Sequence, residues 1–236
     1  EEFAFAEDFA NKALLLNPQS AIGYDFLGNA YAREGRFLDA EDAYSKAISL
    51  QSAFSIAYFN RSIVRQKLKR FEAAKNDLDS ALAIDRSYAI AYFNRAVLHK
   101  MSNDYKAAEL DLSKAIAIKP DFAEAFLNRG FASKFLGDHL SAIEDIKMSI
   151  QLNPNDKNSQ LMLANMYMLF GDYLEAIDVY NQIIEKEPTY APAYLNRGFA
   201  HILFNNRIQG CDDFRKAKEN GINKAEEYIV SFCEKF

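Results

Sequence analysis

Small and large apolar residues recur at a fixed helical spacing along the chain. Four alanines are each followed, four residues later, by a large apolar side chain: Ala74 and Leu78, Ala108 and Leu112, Ala142 and Ile146, Ala176 and Tyr180. Residues four apart lie on the same face of an α-helix, so each pair predicts a helix. The alanine lets a second helix approach, and the larger side chain fills the space beside it. The pairs recur every 34 residues, which predicts a repeated helical unit.

The prolines follow the same period. Pro120, Pro154 and Pro188 lie 102, 136 and 170 residues after Pro18, and each offset is a multiple of 34. Units numbered from the third residue after these prolines divide the chain into the second helix of an incomplete repeat (1–20), six repeats (21–54, 55–88, 89–122, 123–156, 157–190 and 191–222) and a capping helix (223–236). Since the first segment lacks a partner helix, we expect further residues before Glu1.

The residues of the first complete unit indicate a family. Its two helices contain Tyr24, Leu27, Gly28, Tyr31, Ala40, Tyr44 and Ala47. This pattern and the 34-residue period resemble the tetratricopeptide repeat (TPR) family. The resemblance implies an all-α, right-handed superhelical solenoid of helix-turn-helix repeats with a C-terminal capping helix, and a protein or peptide partner.

Composition narrows the function further. The net charge is −5 and no basic block is present, so we expect no nucleic-acid partner. No apolar run approaches the roughly 20 residues of a membrane span, so we expect no membrane insertion. The three histidines are dispersed, and neither a phosphate-binding glycine loop nor a metal-ligand motif is found. We therefore expect no enzyme, no cofactor and no metal.

Two positions of the repeat change together. Four repeats have Arg at position 7 and Asp at position 23: Arg61 and Asp77, Arg95 and Asp111, Arg129 and Asp145, Arg197 and Asp213. The other two have the apolar pairs Leu27 with Ala43 and Leu163 with Val179. The co-occurrence predicts four structural ion pairs between the helices of a repeat. The alternative is that repeat duplication carried both residues along without contact.

A peptide-binding face is predicted from the TPR resemblance. In this family the first helices line the concave face, and positions 2, 5, 6, 9, 12 and 13 point into it. The candidates at these positions are Asn60, Asn94, Asn128, Asn196, Phe59, Phe93, Leu127, Phe131, Lys100 and Lys134. A carboxamide can bind both the N–H and the C=O of a peptide backbone. The alternatives are that Asn is simply common at this position and that the lysines complement the helix dipole. A second candidate surface lies in the C-terminal half and contains Met162, Met166, Met168, Phe199, Ile202 and Leu203.

One TPR activity can be tested by residue. The clamp that holds the carboxylate tails of cytosolic heat-shock chaperones needs basic residues, and here Asp25 replaces the first lysine while Ile90 and Asn94 replace the following lysine and arginine. An acid at that place would repel a carboxylate. The chain therefore lacks this clamp.

The two cysteines, Cys211 and Cys233, are equally far from residue 222. If the last repeat helix and the capping helix form a hairpin that turns at Gly221, a disulfide can join them and would indicate an oxidising compartment. Two reduced, buried thiols are the alternative. The ending resembles bacterial TPR proteins, including envelope proteins of Bacteroidetes, so both cytoplasm and bacterial periplasm or envelope remain open.

The sequence thus predicts a protein interaction scaffold that binds an extended or helical peptide in its concave groove. Two alternatives remain open at this point. The segment could be the regulatory or substrate-recruiting arm of an enzyme whose catalytic domain lies upstream, or an architectural solenoid that associates with itself.

Overall fold

The computed structural model describes residues 2–234, with side chains from Ala6 onward. Residues 1, 235 and 236, which belong to the predicted segments 1–20 and 223–236, lie outside the described part. The described residues form fourteen α-helices and no strand. These helices are α1 (Glu2–Leu16), α2 (Ala21–Arg33), α3 (Phe37–Leu50), α4 (Ser55–Lys67), α5 (Phe71–Ile84), α6 (Ala89–Met101), α7 (Tyr105–Ile118), α8 (Ala123–Leu136), α9 (His139–Leu152), α10 (Lys157–Phe170), α11 (Tyr173–Lys186), α12 (Ala191–Leu203), α13 (Arg207–Glu219) and α14 (Ala225–Cys233).

The helices pack in sequential order within two compact units, Glu1–Pro120 and Asp121–Phe236. In the first unit α2 packs on α3, α4 on α5 and α6 on α7, while α1, α3 and α5 each also contact the helix that follows them. In the second unit α8 packs on α9, α10 on α11 and α12 on α13, and α14 packs on α13. The all-α fold of stacked helix pairs is confirmed. No described helix is both long enough and apolar enough to cross a membrane.

Small residues allow the two helices of a pair to approach closely. The second-helix alanines at position 20 of the repeat are completely buried, among them Ala40, Ala74 and Ala108. On the facing first helix, a Cβ added at Gly28 would lie only 2.6 Å from the ring of Tyr44, which is itself 1% exposed. Glycine at position 28 therefore leaves the space that the ring of Tyr44 occupies.

The turns inside the pairs share one backbone feature. Each has a residue with positive φ at position 15 of the repeat: Gly35, Lys69, Asn103, Gly137, Gly171 and Asn205. Glycine and asparagine adopt this left-handed conformation readily, and other L residues do so at a cost. Lys69, with φ 60°, is the exception in the series.

Candidate functional site

The four predicted carboxamides differ in the hydrogen bonds that they make. In the first unit, Asn60 on α4 donates from Nδ2 to the Asp25 carboxylate at 3.0 Å, whereas Asn94 on α6 donates to the backbone carbonyl of Ile90 at 2.8 Å. In the second unit, Asn128 donates to the carbonyl of Glu124 at 2.8 Å, and Asn196 is half-buried on α12. One amide hydrogen of Asn60, Asn94 and Asn128 is therefore engaged with the protein itself.

The predicted aromatic and basic residues of the first unit are half-buried. Phe59 lies with its ring centroid 5.0 Å from that of Tyr88, and Phe93 is half-buried one repeat further along. Burial lowers the pKa of Lys100 on α6 below its usual value of 10.5. A half-buried face of this kind offers both apolar area and polar groups to a ligand.

In the second unit the predicted residues divide between core and surface. Leu127 packs against the buried core cluster that contains Ile146 and Leu163. Phe131 stacks at 4.8 Å on Phe135, and the Lys134 ammonium lies 5.6 Å from the centroid of that second ring. On α8, Phe131, Phe135 and Lys134 therefore form a group of two aromatic rings and one cation.

The predicted methionine-rich surface is wrong in part. Met166 is 1% exposed and belongs to the core cluster. Phe199 lies against Phe214 and Tyr228, with ring centroids 5.0 and 4.7 Å away. Met166 is therefore taken up by the core, and the half-buried Phe199 packs on rings of α13 and α14. Met166 is therefore not part of a binding surface.

Each of the four arginines at position 7 contacts the aspartate sixteen residues later. Arg61, Arg95, Arg129 and Arg197 direct Nε and Nη2 onto the two carboxylate oxygens of Asp77, Asp111, Asp145 and Asp213, with distances between 2.6 and 3.0 Å. The aspartates are 2–7% exposed. Each arginine thus binds its aspartate through two parallel hydrogen bonds, which hold the first helix of the repeat against the second. These charged groups are therefore partnered within the fold.

A further ionic contact joins two repeats of the first unit. Arg65, from position 11, donates to Asp77 at 2.9 Å and to Glu41 at 2.8 Å, and Arg70 also pairs with Glu41. Comparison of positions 7 and 23 within each repeat could not reveal this network, because Arg65 occupies position 11 and Glu41 belongs to the preceding repeat.

Asp25 is the centre of a different polar cluster. It is 7% exposed, and its two oxygens accept hydrogen bonds from Asn60 at 3.0 Å and from Asn29 at 3.1 Å. Asn29 in turn accepts from the Tyr44 hydroxyl at 2.9 Å. Burial raises the pKa of Asp25 above 3.8, and the two amide hydrogen bonds offset this in part. Burial and the nearby Asp25 charge also raise the pKa of the Tyr44 phenol.

This cluster lies at an open cavity of about 960 Å³. The cavity is bounded by α1, α2 and α4, and its apolar lining includes Phe9, Ile22, Phe26 and Ile56. These four side chains are 49–69% exposed. The lining also contains one acidic residue, Asp25, and one basic residue, Arg33. Its two carboxamide groups belong to Asn29 and Asn60.

A disulfide joins Cys211 on α13 to Cys233 at the end of α14. Arg207 donates to the carbonyl of Phe232 at 2.6 Å, and Lys218 pairs with Glu226. These three contacts attach α14 to α13. The disulfide thus serves the end of the second unit and takes no part in the candidate site.

Comparisons with known proteins define the class. Sequence profiles described as tetratricopeptide repeat match residues 22–54, 59–123, 123–156 and 158–190, which together make up more than half of the chain. The chain belongs to the tetratricopeptide repeat family. Proteins with this fold act as protein-protein interaction scaffolds, so a protein partner follows from membership.

Several solved structures share the fold. YrrB, described as a TPR protein with an unusual peptide-binding site, is 23% identical with a TM-score of 0.70, and the alignment covers 80% of this chain and 98% of that one. PilF from Pseudomonas aeruginosa is 21% identical with a TM-score of 0.71, covering 95% and 99%. A TPR protein from Parabacteroides merdae ATCC 43184 is 22% identical with a TM-score of 0.64, covering 98% and 91%. No curated protein sequence matches the chain.

Proposed function

We propose that the chain is a protein interaction scaffold whose first-helix face in the unit Glu1–Pro120 binds a peptide segment, extended or helical. The observation that carries this proposal is the composition of the cavity. Its lining takes Ile22, Asp25, Phe26, Asn29 and Arg33 from α2, which are positions 2, 5, 6, 9 and 13 of the repeat. These are positions at which members of this family contact their ligands. The similar fold of YrrB, a peptide-binding TPR protein, supports the same function.

The chemistry of the face suits a peptide. Exposed apolar side chains provide area to bury, at roughly 25 cal/mol for each Å² removed from water. Half-buried carboxamides on α4 and α6 provide polar groups for a backbone. The described residues receive no catalytic role in this proposal, because the buried charged groups other than Asp25 are held in ion pairs. The predicted residues of the second unit, Leu127, Asn128, Phe131, Lys134 and Asn196, form a separate candidate face.

The test measures peptide binding by fluorescence anisotropy. The probe is a pool of fluorescein-labelled short peptides with randomised alanine, leucine, serine and arginine positions. Phe26→Ser removes a ring that lines the cavity and is 62% exposed. The matched control is Leu38→Ser on α3, since Leu38 is 58% exposed and lies outside the cavity lining.

We expect Phe26→Ser to weaken binding of the pool about tenfold, because burying an aromatic side chain contributes roughly 1.5–3 kcal/mol. Asn94→Ala should weaken it by a factor of about 2–10, the usual contribution of one hydrogen bond. Leu38→Ser should bind like the wild type. Equal binding by all three variants would place the ligand elsewhere, and absence of binding to the wild type would contradict the proposal.

A further inference from the structure

Asp25 differs from every other buried acid among the described residues. Glu41, Asp77, Asp111, Asp145 and Asp213 all pair with an arginine within the fold. Asp25 accepts only two neutral amide hydrogen bonds, although it is 93% buried by area. A buried carboxylate without a cation is disfavoured relative to one that is paired. The free protein therefore holds an uncompensated negative charge at this point.

The fold does not need an acid here. Position 5 is apolar in the other five repeats, where it is Phe59, Phe93, Leu127, Leu161 and Leu195. Asn29, which supports Asp25, likewise occupies a position that is apolar in four of the other repeats. An apolar side chain at position 5 is thus compatible with the same helix pair. The acid and its amide partner are a local departure, and both line the cavity.

The hydrogen bonds around Asp25 leave it ready for a further donor. A carboxylate offers about four acceptor sites, two on each oxygen. Asn60 donates to Oδ1 and Asn29 to Oδ2, so one acceptor site remains on each oxygen. The two amides come from different helices, α4 and α2, and fix the orientation of the carboxylate. Two adjacent free acceptor sites match the paired N–H donors of a guanidinium group.

The rest of the cavity suits the aliphatic part of a basic side chain. Phe9, Ile22, Phe26 and Ile56 surround the opening with apolar area, on which the methylene groups of an arginine or lysine can pack. Arg33 also lines the cavity, but it is exposed and its charge is screened by solvent. Charge complementarity therefore favours a cationic group beside Asp25.

We propose that Asp25 is a specificity-determining residue that binds the basic side chain, preferably arginine, of a peptide docked in this cavity. The inference rests on the proposed function, since it names the chemistry of the ligand that the same face binds. It also gives the site the opposite charge preference from a TPR clamp for carboxylate tails.

The experiment compares arginine with citrulline, which has nearly the same shape but no charge. Fluorescein-labelled peptides carry arginine, citrulline, lysine or glutamate at one central position, flanked by alanine and leucine. Their affinities are measured for the wild type, for Asp25→Asn, which keeps the shape of the side chain, and for Asp42→Asn. Asp42 is an exposed residue of α3 outside the cavity lining, so its variant provides the same change in net charge. Thermal unfolding of each variant verifies that it is folded.

We expect the wild type to bind the arginine peptide at least about tenfold more tightly than the citrulline peptide, as a charge-assisted hydrogen bond warrants. Lysine should fall between the two, and glutamate should bind most weakly. Asp25→Asn should reduce the ratio of arginine to citrulline affinity to near one, while Asp42→Asn should keep it.

The outcomes separate this inference from the proposed function. The first outcome is that the peptides bind the wild type, that Phe26→Ser weakens this binding, and that the arginine and citrulline peptides bind with equal affinity. The role of Asp25 is then refuted, and the proposed scaffold function remains supported. The same conclusion follows if the arginine preference persists in Asp25→Asn. If no peptide binds the wild type, both proposals are contradicted.

Discussion

Replacement of Arg95 by leucine should destabilise the protein strongly. Asp111 is 2% exposed, and both of its carboxylate oxygens accept a hydrogen bond from Arg95 at 2.7 Å. Without Arg95 the carboxylate remains buried with no cation of comparable contact, since the nearest other base is His99, with its Nε2 3.9 Å away. Removal of one partner of a buried pair costs about 3–5 kcal/mol.

Replacement of Asp111 by valine should cost less. Arg95 also donates to Asp79 at 2.7 Å, and its side chain is 18% exposed, so the guanidinium keeps an ionic partner and reaches water. The difference in the free energy of unfolding between the two single variants therefore reflects the deeper burial of Asp111 than of Arg95.

The double variant Arg95→Leu/Asp111→Val reproduces a combination that the chain already contains. Leu163 and Val179 occupy the same two repeat positions, and both belong to the buried cluster of the second unit. An apolar pair of similar volume often equals or exceeds a buried ion pair in stability. The double variant should therefore recover to within about 1 kcal/mol of the wild type.

Urea unfolding monitored by circular dichroism measures the four free energies. A wild-type midpoint for Arg95→Leu would refute the reasoning. So would a double variant as unstable as Arg95→Leu, because the loss would then come from packing and not from the stranded charge.

Three further predictions concern single sites. Burial raises the pKa of Asp25 above 3.8, so its ionised form disfavours folding above the folded-state pKa, and this effect fades as the pH falls towards 3.8. The stability of Asp25→Asn relative to wild type should therefore be greater at pH 7 than at pH 4, and a pH-independent difference would refute the assignment. Reduction of the Cys211–Cys233 disulfide, which spans 22 residues, should lower the free energy of unfolding by about 3 kcal/mol, as urea unfolding with and without dithiothreitol would show. Lys69→Gly should raise the melting temperature by relieving about 1 kcal/mol of left-handed backbone strain, whereas Lys67→Gly, at the last residue of α4, should lower it.

The sequence contained most of the information on the fold. The spacing of Ala74 and Leu78 and its recurrence every 34 residues predicted a repeated helical unit, and the resemblance of the first unit to the TPR family implied an all-α stack of helix pairs. This is possible because each repeat contacts mainly its neighbours, so that packing depends on residues close in sequence. Position 15 carried a further signal, since glycine or asparagine occupies it in five of six repeats and marks the left-handed turn.

For the candidate site, the sequence predicted only which repeat positions lie on the binding face. It did not predict the contacts that these residues make. Asn60 and Asn94 occupy the same place in their repeats, yet the first binds Asp25, 35 residues away, and the second binds its own helix at Ile90. Met166 was expected at a surface and is instead 1% exposed. The position of a residue in the repeat predicts the helix face on which it lies, but it does not predict which atom it will hydrogen-bond.

The sequence by itself therefore determined the helices and their order, because these follow from apolar spacing that repeats along the chain, and the residues of the first unit indicated the family. Only the tertiary structure decided which polar groups find an ionic or hydrogen-bonding partner within the protein. Asp25 shows the reason. Its burial and its amide contacts depend on how α2 and α4 pack, and the absence of a cation beside it becomes visible only when the other buried acids are seen to have one.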